Sequence, residues 1–314
     1  GTVNADALTG IGSIDATTAA AITTAGVGGA EFASSWASIG LPSPKDAHSI
    51  HYANNLWVMG MDQGKMTTST DGLSWSDAYF NGVNSETRNV FYIGGNWFAT
   101  MQAGQILKSS TAASGSWSQV YNTSLQTLQW ATDGNTTIKI GCDGARHATS
   151  TDSGSNWSLV NNFSQFGGGL TGMAIAYGHG LWMSAGSTGN RIWTSSTGNA
   201  GSWTIRTCDQ SYCYAIASSG SISVAVGTGG RISRSTNGTT WTEAKSPTNE
   251  TLRNVVWVGT HFVAVGSAGA LLISTDGDAW TGPSTGHSGE LVDAAYDGTD
   301  LIIASRSGGI RYAG

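Results

Sequence analysis

The sequence predicts an all-β chain: a seven-bladed β-propeller of four-stranded antiparallel blades, closed by an N-terminal strand and preceded by an arm outside the ring. Three observations predict it. A turn motif ending in tryptophan returns along the chain, at Trp36, Trp75, Trp117, Trp157, Trp203, Trp241 and Trp280, with spacings of 39, 42, 40, 46, 38 and 39 residues. A period near 40 residues is that of a four-stranded blade. Between the tryptophans the apolar residues alternate, and helical periodicity is absent from residue 31 onward. The last repeat stops one strand short, while Trp36 belongs to a strand with no repeat before it.

Each period follows one grammar. An alternating run such as Asn254-Val255-Val256-Trp257-Val258 is a first strand, and a Gly/Asn turn leads to a second, Phe262-Val263-Ala264-Val265-Gly266. A glycine-rich turn leads to a third, Leu271-Leu272-Ile273-Ser274, and Ser274-Thr275-Asp276-Gly277 turns the chain toward Trp280 and a short fourth strand. Six units are complete. The seventh runs from Leu291 to Tyr312 and is expected to borrow the strand at Trp36, which removes two open sheet edges. The domain boundaries follow: residues 1–30 form the arm and residues 31–314 the propeller. Asp6 and Asp15 are the arm's only charged side chains, so it is expected to be ordered by a partner rather than by a core of its own.

Composition agrees with a turn-rich β protein. Glycine supplies 45 of 314 residues and charged residues only 11%. A net charge of −6 argues against non-specific nucleic-acid binding, which needs a basic stripe. No run of 18 apolar residues is present, so no membrane-spanning helix is expected. The three cysteines, Cys142, Cys208 and Cys213, make no zinc-like spacing with histidine. Cys208 and Cys213 are either a small disulfide or two free buried thiols. No cofactor or metal is expected.

Ser150-Thr151-Asp152-Ser153-Gly154-Ser155-Asn156-Trp157 resembles the Asp-box, or BNR-like, repeat in full. Ser69 to Trp75 and Ser274 to Trp280 resemble it one residue shorter, Ser235 to Trp241 has Asn237 in the Asp position, and the copies ending at Trp117 and Trp203 have drifted further. The resemblance covers about 280 residues as repeats. It implies a propeller and spans sialidases, photosystem II assembly factors, glycan-processing enzymes and virion proteins. A residue recurring in blade after blade serves every blade, so Asp71, Trp75, Asp152, Trp157, Trp241, Asp276 and Trp280 are assigned to structure. The carboxylate suits turn amides, as in other Asx turns, and the ring fills the wedge between blades.

Binding is expected instead on the opposite face, where the irregular inter-blade connections lie. Tyr79, Phe80, Tyr121, Phe163, Phe166 and Tyr212 sit there among amides and hydroxyls. Lys65, Arg191 and Arg231 follow the glycine-rich turns, and Arg88 and Arg253 begin first strands in matching Thr87-Arg88-Asn89 and Leu252-Arg253-Asn254 contexts. Such a set suits a carboxylate-bearing glycan or an acidic partner.

The expected function is a non-catalytic binding module of an extracellular, multi-copy assembly. Its most concrete form is a bacteriophage virion protein, of tail fibre, tail tip or capsid decoration, that binds a host-surface glycan or a neighbouring virion protein. Residues 1–30 would attach it to other structural proteins. Two alternatives stand beside it: a propeller like the photosystem II assembly factors, and a sialidase-like glycosidase. The second lacks the Phe/Tyr-Arg-Ile-Pro start, since Arg191-Ile192-Trp193 and Arg231-Ile232-Ser233 have no proline and occupy repeat positions.

Overall fold

The computed structural model describes residues 36–42, 46–78, 85–161, 173–186, 189–208 and 212–312, and these form seven antiparallel sheets in a closed ring. The first strands, Ala47–Ala53, Thr87–Ile93, Thr127–Thr132, Met173–Gly178, Cys213–Ser218, Leu252–Trp257 and Leu291–Tyr296, stand innermost and open blades one to seven. Blade seven is closed as expected: Trp36–Ile39 pairs with Gly308–Tyr312, from Trp36 opposite Tyr312 to Ile39 opposite Gly309. In blade six the fourth strand shrinks to one antiparallel bridge, in which Ile273 and Thr281 exchange both backbone hydrogen bonds. The arm, residues 1–30, lies outside the described residues.

The core is a set of apolar layers between blades. Second strands such as Phe262–Gly266 and Leu301–Ser305 are buried along their whole length. Their alternate faces meet the neighbouring blade: Val263, Val265 and Ile273 of blade six pack on Leu291, Leu301 and Ile303 of blade seven. At the seam Ile39 joins Ala47, Ile50, Trp57 and Met59 of blade one and Ile302 of blade seven. Each fully buried large aliphatic or aromatic side chain contributes roughly 1.5–3 kcal/mol.

The repeated turns are the brackets of this packing. Asp71 Oδ1 accepts from the amides of Leu73 and Ser74, both at 2.8 Å, and from Ser69 Oγ at 2.9 Å. Asp152 and Asp276 repeat the arrangement, and Asn237 does so with its amide oxygen. The tryptophan Nε1 then donates to the turn carbonyl, as from Trp75 to Gly72, Trp157 to Gly154 and Trp280 to Gly277. The drifted copies replace the carboxylate with serine: Ser109 Oγ meets Ser116 Oγ, and Ser195 Oγ meets Ser202 Oγ, each at 2.6 Å. The turn glycine lies where its blade touches the preceding one. A Cβ on Gly154 would collide with the Phe98 ring, and one on Gly277 would lie 2.6 Å from Val224 Cγ2. Both glycines also hold a positive φ, near 78° and 72°.

Blade three departs from this pattern. Lys139 stands on its second strand where blade two has Phe98, and it is buried beneath Gly198 of the next blade. Its Nζ donates to Gly198 O at 3.2 Å and Thr149 Oγ1 at 3.1 Å, and lies 5.1 Å from the Trp182 ring. Burial lowers the amine's pKa to about 8.

The three cysteines are buried and form no disulfide, so Cys208 and Cys213 are two buried thiols rather than a small bridge.

Candidate functional site

Six of the seven first strands break register near their start, at His48, Arg88, the Leu128–Gln129 step, Tyr214, Arg253 and Val292, whereas blade four pairs without interruption. A bulge adds one unpaired residue and re-aims its side chain. Here it does so in blade after blade, at the end of the ring's axis where the inter-blade connections enter.

His48, Arg88, Tyr214 and Arg253 reach toward the next blade and tie the mouth together. His48 Nε2 lies 2.6 Å from Asp62 Oδ1 of its own blade, and its Nδ1 lies 3.8 Å from Glu86 Oε2 of blade two. Arg88 Nη2 lies 2.8 Å from the same Glu86 oxygen. With its amide turned to satisfy both neighbours, Gln126 of blade three accepts from Arg88 Nη2 at 3.2 Å and donates to Asp143 Oδ2 at 3.1 Å. Burial lowers the Arg88 pKa, Glu86 opposes that shift, and Arg306 reinforces it. Arg306 belongs to blade seven, so its charge is felt across the mouth.

The other side of the mouth is aromatic and cationic. Tyr212 and Tyr214 lie against each other, tilted by 30° with centroids 4.4 Å apart, and the Arg253 guanidinium lies 4.7 Å from the Tyr214 ring. Glu290 holds two arginines, Arg253 Nε at 2.8 Å and Arg306 Nε at 2.9 Å. A ledge of two rings, two guanidinium groups and one carboxylate therefore runs across blades five, six and seven.

His48, Asp62 and Glu86 place possible metal-ligating atoms within 4.8 Å of one another. Their arrangement does not converge on one point: Asp62 meets one ring nitrogen and Glu86 faces the other. Arg88 already supplies positive charge to Glu86, so the cluster reads as an ion-pair network.

Of the residues singled out in the sequence, the structure brings Arg88, Arg253 and Tyr212 to this mouth. Arg191 begins a third strand, and Arg231 follows the glycine turn into another, so both sit farther from the axis. Lys65 occupies the equivalent place in blade one. Tyr121 lies on the outermost strand of blade two and packs against the core between blades two and three. Tyr79, Phe80, Phe163 and Phe166 lie outside the described residues. His48, Asp62, Glu86, Tyr214, Glu290 and Arg306 escaped the sequence reading. For His48 the signal was its start, Ala47-His48-Ser49-Ile50, which matches Thr87-Arg88-Asn89-Val90 and Leu252-Arg253-Asn254-Val255 in having one residue that breaks the alternation.

No protein-family model matches the chain, and no curated protein does. Solved structures do match. YCF48 from Cyanidioschyzon merolae is 17% identical, with 89% of this chain and 98% of that one covered and a TM-score of 0.69. A structure described as YCF48 bound to D1 peptide is 18% identical, over 89% and 95% of the two chains, with a TM-score of 0.69. Selenomethionine-substituted virginiamycin B lyase from Staphylococcus aureus is 14% identical, over 88% and 97%, with a TM-score of 0.74. At such identities the likeness is one of fold, and it spans an enzyme as well as a peptide-bound propeller: the chain shares the architecture of seven-bladed β-propellers.

Proposed function

We propose that the propeller is a non-catalytic binding module that receives an extended peptide segment of a partner across the mouth formed by the inter-blade connections. One observation carries this reading: register bulges in blade after blade turn His48, Arg88, Tyr214 and Arg253 onto a single rim, where Tyr214 and Arg253 form part of a pre-organised ledge of charge and aromatic surface opposite the ion pairs of His48 and Arg88. Two contacting rings and a guanidinium held by Glu290 give contact area at little entropic cost. Most polar groups of the rim are engaged with one another, an arrangement suited to recognition rather than to acid–base chemistry. A carboxylate-bearing glycan suits the same rim, but the likeness to YCF48 bound to D1 peptide favours a peptide.

The proposed setting is an extracellular multi-copy assembly, with a virion surface as its concrete form and residues 1–30 as the attachment to a neighbouring structural protein. Low charge and the small-residue arm support that part. A protein inventory of purified particles, and particle incorporation of a chain lacking residues 1–30, test it.

The rim itself is tested with a library of capped peptides of about twelve residues, read by fluorescence anisotropy. At least one peptide should bind, and Arg253→Ala should weaken it about ten-fold or more while Tm stays within about 2 °C. Binding that survives both Arg253→Ala and Arg88→Ala would overturn the rim as the site. Binding of acidic oligosaccharides in place of every peptide would transfer the site to a glycan.

A further inference from the structure

Along the ring's axis runs a channel of about 400 Å³, walled by all seven first strands. The inner edge of these strands has no neighbouring strand, so its amides and carbonyls need other partners. Side chains supply some. Gln129 of blade three reaches Ile216 of blade five, donating from Nε2 to the carbonyl at 2.8 Å and accepting the amide on Oε1 at 3.2 Å.

Asp293 serves the seam in the same way. Its Oδ2 accepts from the Ile50 amide of blade one at 2.9 Å, and its Oδ1 accepts from Asn254 Nδ2 of blade six and from the Ala294 amide, each at 2.9 Å. Blades one, two and six place the neutral Ser49, Asn89 and Asn254 just after the bulge, and of these Asn254 reaches the neighbouring blade, at Asp293. Blade seven alone among these places a carboxyl there. A carboxylate accepts roughly four hydrogen bonds, and three are made here, which leaves room on Oδ2.

Asp293 also opens on the channel. Among the described residues lining that channel, it is the one carboxyl, and no lysine or arginine faces it. Burial pushes it up to about 7, against the three donors that favour its charged form. His51, also on the channel wall, turns its ring to Trp97 and Trp130 and is held neutral by burial, with its pKa lowered to about 4. Past Asp293 from the mouth, Trp130, Tyr177, Trp257 and Tyr296 line the deeper channel, a wall suited to the alkyl stem of a free amine.

We propose that the channel is a binding site for a primary alkylammonium group, with the Asp293 carboxylate as its counter-ion. The cation supplies the charge that the wall lacks and takes up the remaining acceptor position of Oδ2. The ligand is either a free amine or a lysine side chain of a partner, and the two are separable. Asp293 lies one residue inward of the rim, so a lysine whose backbone rests on the mouth can reach it.

The test uses n-butylammonium and Nα-acetyl-lysine-N-methylamide at neutral pH, followed by NMR. The controls are n-butanol, which keeps the stem and removes the charge, and tetramethylammonium, which keeps the charge and removes the donors. At least one amine should bind about ten-fold more tightly than either control, and Asp293→Asn should abolish that preference. Binding by n-butylammonium alone assigns the site to a free amine, whereas binding by both extends it to a lysine side chain. Equal affinity for amines and controls, or a preference that persists in Asp293→Asn, overturns the proposal. Should the variant fail to fold, the wild-type carboxyl carbon decides. Its titration should move to lower pH by about one unit or more with saturating n-butylammonium, and an unmoved titration overturns the site.

Discussion

The two faces of the ring treat equivalent backbone positions in opposite ways. On the face of the repeated turns, Asp71, Asp152, Asn237 and Asp276 make the same hydrogen bonds to the same kind of amide in four blades. On the opposite face, the bulges carry His48, Arg88, Tyr214, Arg253 and Val292, and no two neighbouring blades agree. Sameness at repeated positions marks what every blade needs in order to fold. Difference at repeated positions, on a backbone feature that recurs, marks where the molecule is free to specialise.

The largest effect should come from opening the ring, because both faces depend on closure. Removing residues 31–39 strips the strand that pairs with Gly308–Tyr312 and takes Ile39 out of the seam. Tm should fall by about 10 °C or more, since each kcal/mol moves a domain this size by about 2–4 °C. A milder route to the same seam is Gly309→Ala, whose Cβ would lie 2.7 Å from Ile39 Cδ1.

On the mouth, Glu290→Gln should be felt in binding before stability. It removes the charge that holds Arg253 and Arg306, both a little over a third exposed, and exposed ion pairs contribute about 0–1 kcal/mol to folding. Peptide affinity measured against wild type should change several-fold, with Tm nearly unmoved. A large loss of Tm would make the ledge a structural element like the repeated turns.

Asp293 offers a pH test of the channel wall. Its folded pKa lies above the ordinary carboxyl value, so the folded chain holds a proton that the unfolded chain has released. Its contribution to stability is full below about pH 4 and declines as pH rises through about 7. Tm should therefore fall across that window, and Asp293→Asn should flatten the slope.

The repeated turns titrate in the other direction and more weakly. Amides of Ser74 and Leu73 hold the Asp71 carboxyl down at about 2, so the turn is intact above the ordinary carboxyl range and loosens as pH falls through about 2. Asp71→Ala should raise amide exchange at Leu73 and Ser74, lower Tm slightly, and leave peptide binding unchanged. A loss of binding would show that the two faces are coupled.

The fold was largely legible in the sequence because repetition makes it so. A tryptophan every 40 or so residues, a truncated last unit and a stray Trp36 suffice to count blades and close the ring. The turn aspartates were assignable to structure for the same reason, and their hydrogen bonds follow from the chemistry of adjacent residues. The candidate site was legible only in part. Arg88 and Arg253 stood out because their contexts match, but Glu86 and Glu290 lie in the connections before first strands, and Arg306 sits in a turn. What joins them is the ring, which sets blade one beside blade two and blade six beside blade seven so that a bulged residue meets its neighbour's lead-in residue. Lys139 teaches the same lesson inside the core: its charge marks it for solvent in the sequence, yet the next blade's turn supplies Gly198 O and buries it. Local chemistry between residues close in sequence determined the strands, the turns and their number. Contacts between residues far apart in the chain, Ile50 with Asp293 or Gln129 with Ile216, exist only once seven blades have closed on a common axis. Only the tertiary structure decided them.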